Sequence, residues 1–235
     1  MRIQRTLHHD CEKSQAMNNF AFQCRPVRKK HAFALCFFLF SILPLFAQTR
    51  PDALQAFRDG QYERSVAICR DEIAENPRNL EAHVVICWSL MALGRYDEAL
   101  TFAMAGRRIS RYDIRITLIL GEISFSQGRN TEAIQFFQEY INLAPSGARI
   151  DRVYYLLGEI YMRLGRFRHA DIALTTAVHW VPGNAAWWTR LAYARENAGD
   201  LREAVAAYER ALTLNPQLGD ARRGLERVRQ TLARQ

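Results

Sequence analysis

Five glycines, Gly60, Gly94, Gly128, Gly165 and Gly199, recur along this chain at successive intervals of 34, 34, 37 and 34 residues, by subtraction of their numbers. A period of that length holds two helices of a few turns each with their connections, and little else. It constrains the fold more than composition does. One such unit cannot bury its own apolar face, so neighbouring units must stack on one another. The residues around the glycines repeat as well: "RDGQYERSVAICRDEIAENP", "ALGRYDEALTFAMAGRRISR", "SQGRNTEAIQFFQEYINLAP", "RLGRFRHADIALTTAVHWVP" and "NAGDLREAVAAYERALTLNP". The odd interval falls where "SGA" is inserted just after Pro145.

Two residues beyond each glycine stands Tyr62, Tyr96, Asn130, Phe167 or Leu201, and five beyond stands Ser65, Ala99, Ala133, Ala170 or Ala204. Seventeen beyond comes Pro77, Arg111, Pro145, Pro182 or Pro216, and seven before lies Ala53, Cys87, Gly121, Gly158 or Ala192. The glycine ends a first helix in the left-handed conformation, and the small residues let a second helix cross closely. The proline stops that second helix. In this pattern the chain resembles the tetratricopeptide repeat (TPR) family over about Pro51 to Pro216. The resemblance implies an all-α, right-handed TPR solenoid of five helix-turn-helix units over 51–217, with units at about 51–78, 80–111, 114–146, 151–183 and 185–217.

Departures from the pattern carry expectations of their own. Arg111 in place of proline, with Gly106 nearby, predicts that the second helix of unit two ends differently or frays. Asn130 in place of the aromatic predicts a weaker packing contact. Residues 218–235 carry Ala221, Leu225, Val228 and Leu232 at helical spacing, which predicts a C-terminal capping helix with Arg222, Arg223, Arg229 and Arg234 toward water.

Ahead of the repeats, "RPVRKKHAFALCFFLFSILPLFAQ" sets a basic cluster before an apolar run from Ala32 to Leu43, then Pro44 and Ala47. This is the order of a secretory signal peptide, and the run is shorter than the roughly 20 residues of a membrane span. Residues 1–47 are read as a leader cleaved after Ala47, with Met17 as an alternative start and an uncleaved membrane anchor as the alternative fate. The expected location is therefore the periplasm or cell envelope, with membrane contact only through an uncleaved leader. After cleavage Cys69 and Cys87 remain, expected as buried thiols, with a disulfide as the alternative.

Charge argues against a nucleic-acid partner. Of the net +8, the leader supplies 7 basic and 2 acidic groups, leaving 25 minus 22, or +3, over all the repeats; that is too little for an electrostatic footprint. Catalysis finds no residue set: His83, His169 and His179 lie in different units or at non-chelating offsets, and no metal, cofactor or enzymatic role is expected.

In TPR proteins the first helix of each unit lines the inner surface. Helical period places one stripe of each first helix there. It reads Glu81, Val84, Trp88 and Met91, then Arg115, Leu118, Glu122 and Phe125, then Arg152, Tyr155, Glu159 and Met162, then Ala186, Thr189, Tyr193 and Glu196. Apolar surface rimmed by charge suits an amphipathic helix or extended peptide from another envelope protein. Glu122 and Glu159, beside Arg115 and Arg152, are left to pair with each other or with a ligand. TPR domains that clamp carboxylate tails place lysine and asparagine on this surface. Here the rows hold Val84, Leu118, Tyr155 and Thr189, then Trp88, Glu122, Glu159 and Tyr193, which disfavours that ligand. Self-association or an envelope assembly through the outer surface is the competing reading, and "RRISRYDIR" is either a solvated turn or an anion site. N-terminal sequencing of the exported protein is expected to begin at Gln48.

Overall fold

The computed structural model describes residues 52–235; the leader, its cleavage point and Cys11, Cys24 and Cys36 lie outside them. Those residues form paired helices with no strand. Unit one pairs α1 (Ala53–Arg58) with α2 (Tyr62–Glu75), and unit two pairs α3 (Leu80–Ala92) with α4 (Tyr96–Ile109). Unit three pairs α5 (Ile114–Ser126) with α6 (Asn130–Leu143). Unit four pairs α7 (Ile150–Arg163) with α8 (Phe167–Trp180), and unit five pairs α9 (Ala185–Ala198) with α10 (Leu201–Leu214). The cap is α11 (Gly219–Leu232).

All five repeat glycines sit at positive φ, between 67° and 89°. At unit two the amide of Gly94 donates to the Met91 carbonyl at 3.0 Å and that of Arg95 reaches back to Leu90 at 2.8 Å. These two bonds satisfy carbonyls that a helix end leaves orphaned, and they turn the chain so that the next helix starts two residues later. First helices are started by side chains: Asp52, Asn79, Asp113 and Asn184 each accept from backbone amides of the first turn. Helix α7 alone among them has no such side-chain cap, because Arg149 occupies that place. There the longer linker folds back on itself, Gly147 donating to Ala144 at 3.0 Å. A side chain at 147 would strike the Tyr140 hydroxyl.

The expectation that α4 would end differently is not met. It runs 14 residues like the other second helices, and Ser110 takes the same extended conformation as Asn76, with its amide on the Gly106 carbonyl at 2.9 Å. The turn and the Asp113 cap of α5 close this junction without proline, so that residue reinforces the stop without being needed for it. Asn130 is half-buried, and its side-chain oxygen has no hydrogen-bond partner among the described residues.

Each helix packs on the next along the stack, and odd-numbered helices also meet across units: α1 with α3, α3 with α5, α5 with α7, and α9 with α11. No pair of even-numbered helices approaches comparably. Odd helices therefore crowd on the inside of the solenoid while even helices splay on the outside. The small residues seven before the glycines admit bulk from the second helix. A Cβ at Gly121 would lie 2.6 Å from the Phe137 ring, and one at Gly158 would lie 2.5 Å from Leu174 Cγ. The larger partner is thus nine places beyond the glycine, not only the small residue at five. In units one and two the contact is polar instead: Ser65 Oγ donates to Ala53 O at 2.8 Å and Cys87 Sγ to Ala99 O at 3.4 Å.

Cys69 and Cys87 are both buried free thiols. Burial pushes the Cys69 thiol up to about 12, and burial also raises Cys87, so neither carries appreciable thiolate near neutral pH. In the cap, Ala221, Leu225 and Val228 are buried and Leu232 partly so, while Arg222, Arg223, Arg229 and Arg234 are exposed.

Replacing Gly158 by alanine is expected to cost about 1 to 3 kcal/mol by overpacking. The cost should shrink when measured in a Leu174→Ala background, because the two residues share one contact. Thermal melts of the four proteins in the cycle measure the coupling.

Candidate functional site

The inner stripe divides into residues that reach the surface and residues that do not. Val84 is fully buried and Met162 nearly so. Neither lines a groove, because odd helices touch across units and enclose those positions in the core. Trp88 and Met91 are partly buried, the Trp88 ring 5.9 Å from that of Phe57. Leu118 is partly buried against its neighbours. Phe125 lies under the Arg163 guanidinium at 4.0 Å.

Tyr155 stacks on Trp187 with ring centroids 4.8 Å apart and planes within 10°. This stack bridges α7 and α9, whose backbones approach less closely than the other neighbouring odd helices. The Thr189 hydroxyl is turned back to donate to the Ala185 carbonyl at 3.0 Å, so its proton is used within the helix. Tyr193 is 39% exposed, edge-on to Phe167, with Arg190 over its face at 5.7 Å.

The charges form a ladder. Arg115 pairs with Glu81 at 2.7 Å, and Arg152 with Glu122 at 2.6 Å. Arg190 grips both oxygens of Glu159 at 2.7 Å, and Arg227 of the cap bonds Glu196 at 2.7 Å. Every rung joins an acid of one unit to an arginine of the next. Arg115 also holds Asp113, at 2.9 Å, and so does not meet Glu122. The Glu122, Glu159 and Glu196 side chains are only 14 to 16% exposed, so each needs its arginine to offset lost hydration. Of the two alternatives for these acids, pairing within the surface or with a ligand, the first is found: Glu122 pairs with Arg152, and Glu159 with Arg190, which lies outside the stripe. What the inner face offers is apolar and aromatic surface among neutralised pairs.

Hydrogen bonds donated to Glu81 and Asp113 raise the Arg115 guanidinium, and those donated to Glu159 raise Arg190. Burial and the Glu159 charge raise Tyr155. Burial also pushes the Glu196 carboxyl upward, but bonds from Arg227 and from the Tyr208 hydroxyl at 2.7 Å outweigh it and leave the carboxyl below its ordinary range. Trp187, Arg190, Arg163 and Arg227 complete the surface and were not in the stripe. The rungs after the first do carry a sequence signal, an acid followed 30 or 31 residues later by arginine.

The histidines do not converge. His83 is buried, and His169 and His179 are exposed, His169 lying 5.3 Å from the Tyr161 ring.

Comparison with known proteins fits this architecture. The family model described as the cilia and flagella-associated protein 70 C-terminal domain, a TPR domain, matches residues 56–221. The chain belongs to that family. Over 118 residues, 47% of this chain, it is 32% identical to the Drosophila melanogaster protein described as a BBSome complex member BBS4 homolog. That match spans only 24% of the relative's length.

Among solved structures, MamA superposes with a TM-score of 0.64 at 20% identity, covering 71% of this chain and 96% of that one. PilW, a type IV pilus biogenesis factor, gives 0.65 at 18% identity over 77% and 83%. A thermophilic TPR protein of Thermus thermophilus gives 0.52 at 20% identity over 75% and 94%. At these identities the structural likeness is one of fold. The chain is a TPR-type helical repeat protein, a class that generally mediates protein–protein contact.

The cap rung predicts a pH response. Because Glu196 is held below the ordinary glutamate value of about 4.3, its contribution is present above that pH and is lost as pH falls through the lower folded value. Amide exchange in α11 should accelerate over that acid range in the native chain, and Glu196→Gln should flatten the response.

Proposed function

We propose that the chain is an exported scaffold that binds an amphipathic or extended peptide from another envelope protein along its inner face. The observation that carries the binding half is the surface just described: Trp88, Met91, Leu118, Phe125, Tyr155 and Tyr193 reach the inner face while its acids are neutralised from within. A ligand there gains from apolar and aromatic contact and finds few unpaired charges to satisfy, which is the helix-in-groove mode of recognition. The export half rests on the basic-then-apolar order of residues 25–47.

A second reading, association through the outer surface, is favoured by one feature: α8 exposes Ile172 at 68% and Trp180 at 48%. Apolar side chains that open on a second helix suit an assembly contact.

Replacing Trp88, Phe125 and Tyr155 together by alanine is expected to abolish partner capture by crosslinking in intact cells, with helicity by circular dichroism retained. Capture that persists in this variant but fails in Ile172→Ser/Trp180→Ser would move the interface to the outer surface.

A further inference from the structure

The outer layer holds a cavity of about 690 Å³ between α2 and α4, over the N-terminal turn of α3. Its origin lies in two positions of the repeat. Between α4 and α6 the corresponding groove is closed: Arg107, thirteen residues past its glycine, reaches Glu139, eleven past the next, at 2.8 Å, and covers the Phe136 ring. Between α2 and α4 those positions are Ile73 and Ala105. The aliphatic side chains cannot span the gap, and the groove stays open.

The floor of the cavity is apolar, formed by Ile73, Phe102 and Ile109. Arg78 and Arg108 stand at its rim, both exposed, and neither makes an ion pair among the described residues. His83 also lines it, at 3% exposure. His83 Nε2 lies 3.1 Å from the Pro77 carbonyl and so carries the proton toward it, which leaves Nδ1 as an acceptor. That atom is buried with no hydrogen-bond partner. Being inaccessible, it lies behind the wall of the groove and is not a contact point for a ligand.

We propose that this cavity is a second binding site, for an acidic peptide segment of a partner protein that carries an apolar side chain next to carboxylates. The apolar side chain fills the floor against Ile73, Phe102 and Ile109. The carboxylates meet Arg78 and Arg108 in charge-assisted bonds. A peptide is favoured over an anionic membrane because the apolar floor lies between two helices with Arg78 and Arg108, unpaired among the described residues, flanking it, which suits one apolar side chain set between carboxylates.

The test uses fluorescence anisotropy with a fluorescein-labelled peptide alternating leucine and glutamate, and its leucine–lysine counterpart as control. The glutamate peptide is expected to bind, more weakly as salt rises, and the lysine peptide not to bind. Ile73→Arg/Ala105→Glu copies the pair that closes the neighbouring groove and should weaken binding at least roughly tenfold. Arg78→Gln/Arg108→Gln, which alters only exposed side chains, should weaken it comparably and flatten the salt dependence. Trp88→Ala/Phe125→Ala should leave the affinity unchanged, so that failure of this site and failure of the inner-face reading are told apart. Equal binding of both peptides, no binding of either, unaltered affinity in the filled-groove variant, or binding to phosphatidylglycerol vesicles in place of the peptide would each overturn the proposal.

Discussion

A backbone bond from the residue after each repeat glycine to a carbonyl five places earlier governs this structure. It joins Gln61 to Ala56, Arg95 to Leu90, Arg129 to Ser124, Arg166 to Tyr161 and Asp200 to Arg195. The bond forms only if the residue between helix and turn accepts positive φ, so glycine is required at that one place. Once the turn is made, the second helix falls back on the first at a fixed angle. Whether it packs then depends on the size of the side chains at the crossing, which is why Gly121 faces Phe137 and Gly158 faces Leu174. The crossing in turn decides which stripe of each first helix is left over for neighbours and solvent.

That leftover stripe serves two purposes at once. Part of it joins unit to unit, through the acid–arginine rungs and the Tyr155–Trp187 stack. Part of it stays open as aromatic and apolar surface. Because Glu122, Glu159 and Glu196 are largely buried while their arginines reach solvent, the pairs mainly offset the lost hydration of those acids and remove charge from a face that offers apolar contact. The closure of the outer groove by Arg107 and Glu139 works the same way, and its absence one unit earlier leaves space.

The period, the helix pairing, the cap and the burial of Cys69 and Cys87 are legible in the sequence because they depend on local rules. Glycine position, apolar spacing and small residues suffice for them. The face of each stripe is only partly legible. Val84 and Trp88 sit one turn apart on the same helix, yet one is sealed and the other half-open. The difference comes from how closely the adjacent odd helix approaches, a long-range quantity that helical period does not contain. The end of α4 is hidden for a different reason: proline is the visible stop signal, but the extended residue at 110 and the aspartate cap at 113 already divide the two helices.

The ladder also has a direction. In each rung the acid belongs to the earlier unit and the arginine to the later element, so units three, four and five each present an arginine backward and an acid forward on the inner face. Such a polarity means that a unit copied in tandem meets a compatible neighbour on either side, whereas one inserted in reverse would set like charge against like. The tight helix crossings of units three and four lie inside a unit and travel with it, so the piece that can be duplicated or lost without conflict is the whole helix pair and never a single helix. Lengthening or shortening of such an array by recombination would then preserve both packing and charge, leaving selection free to act on the few open aromatic positions.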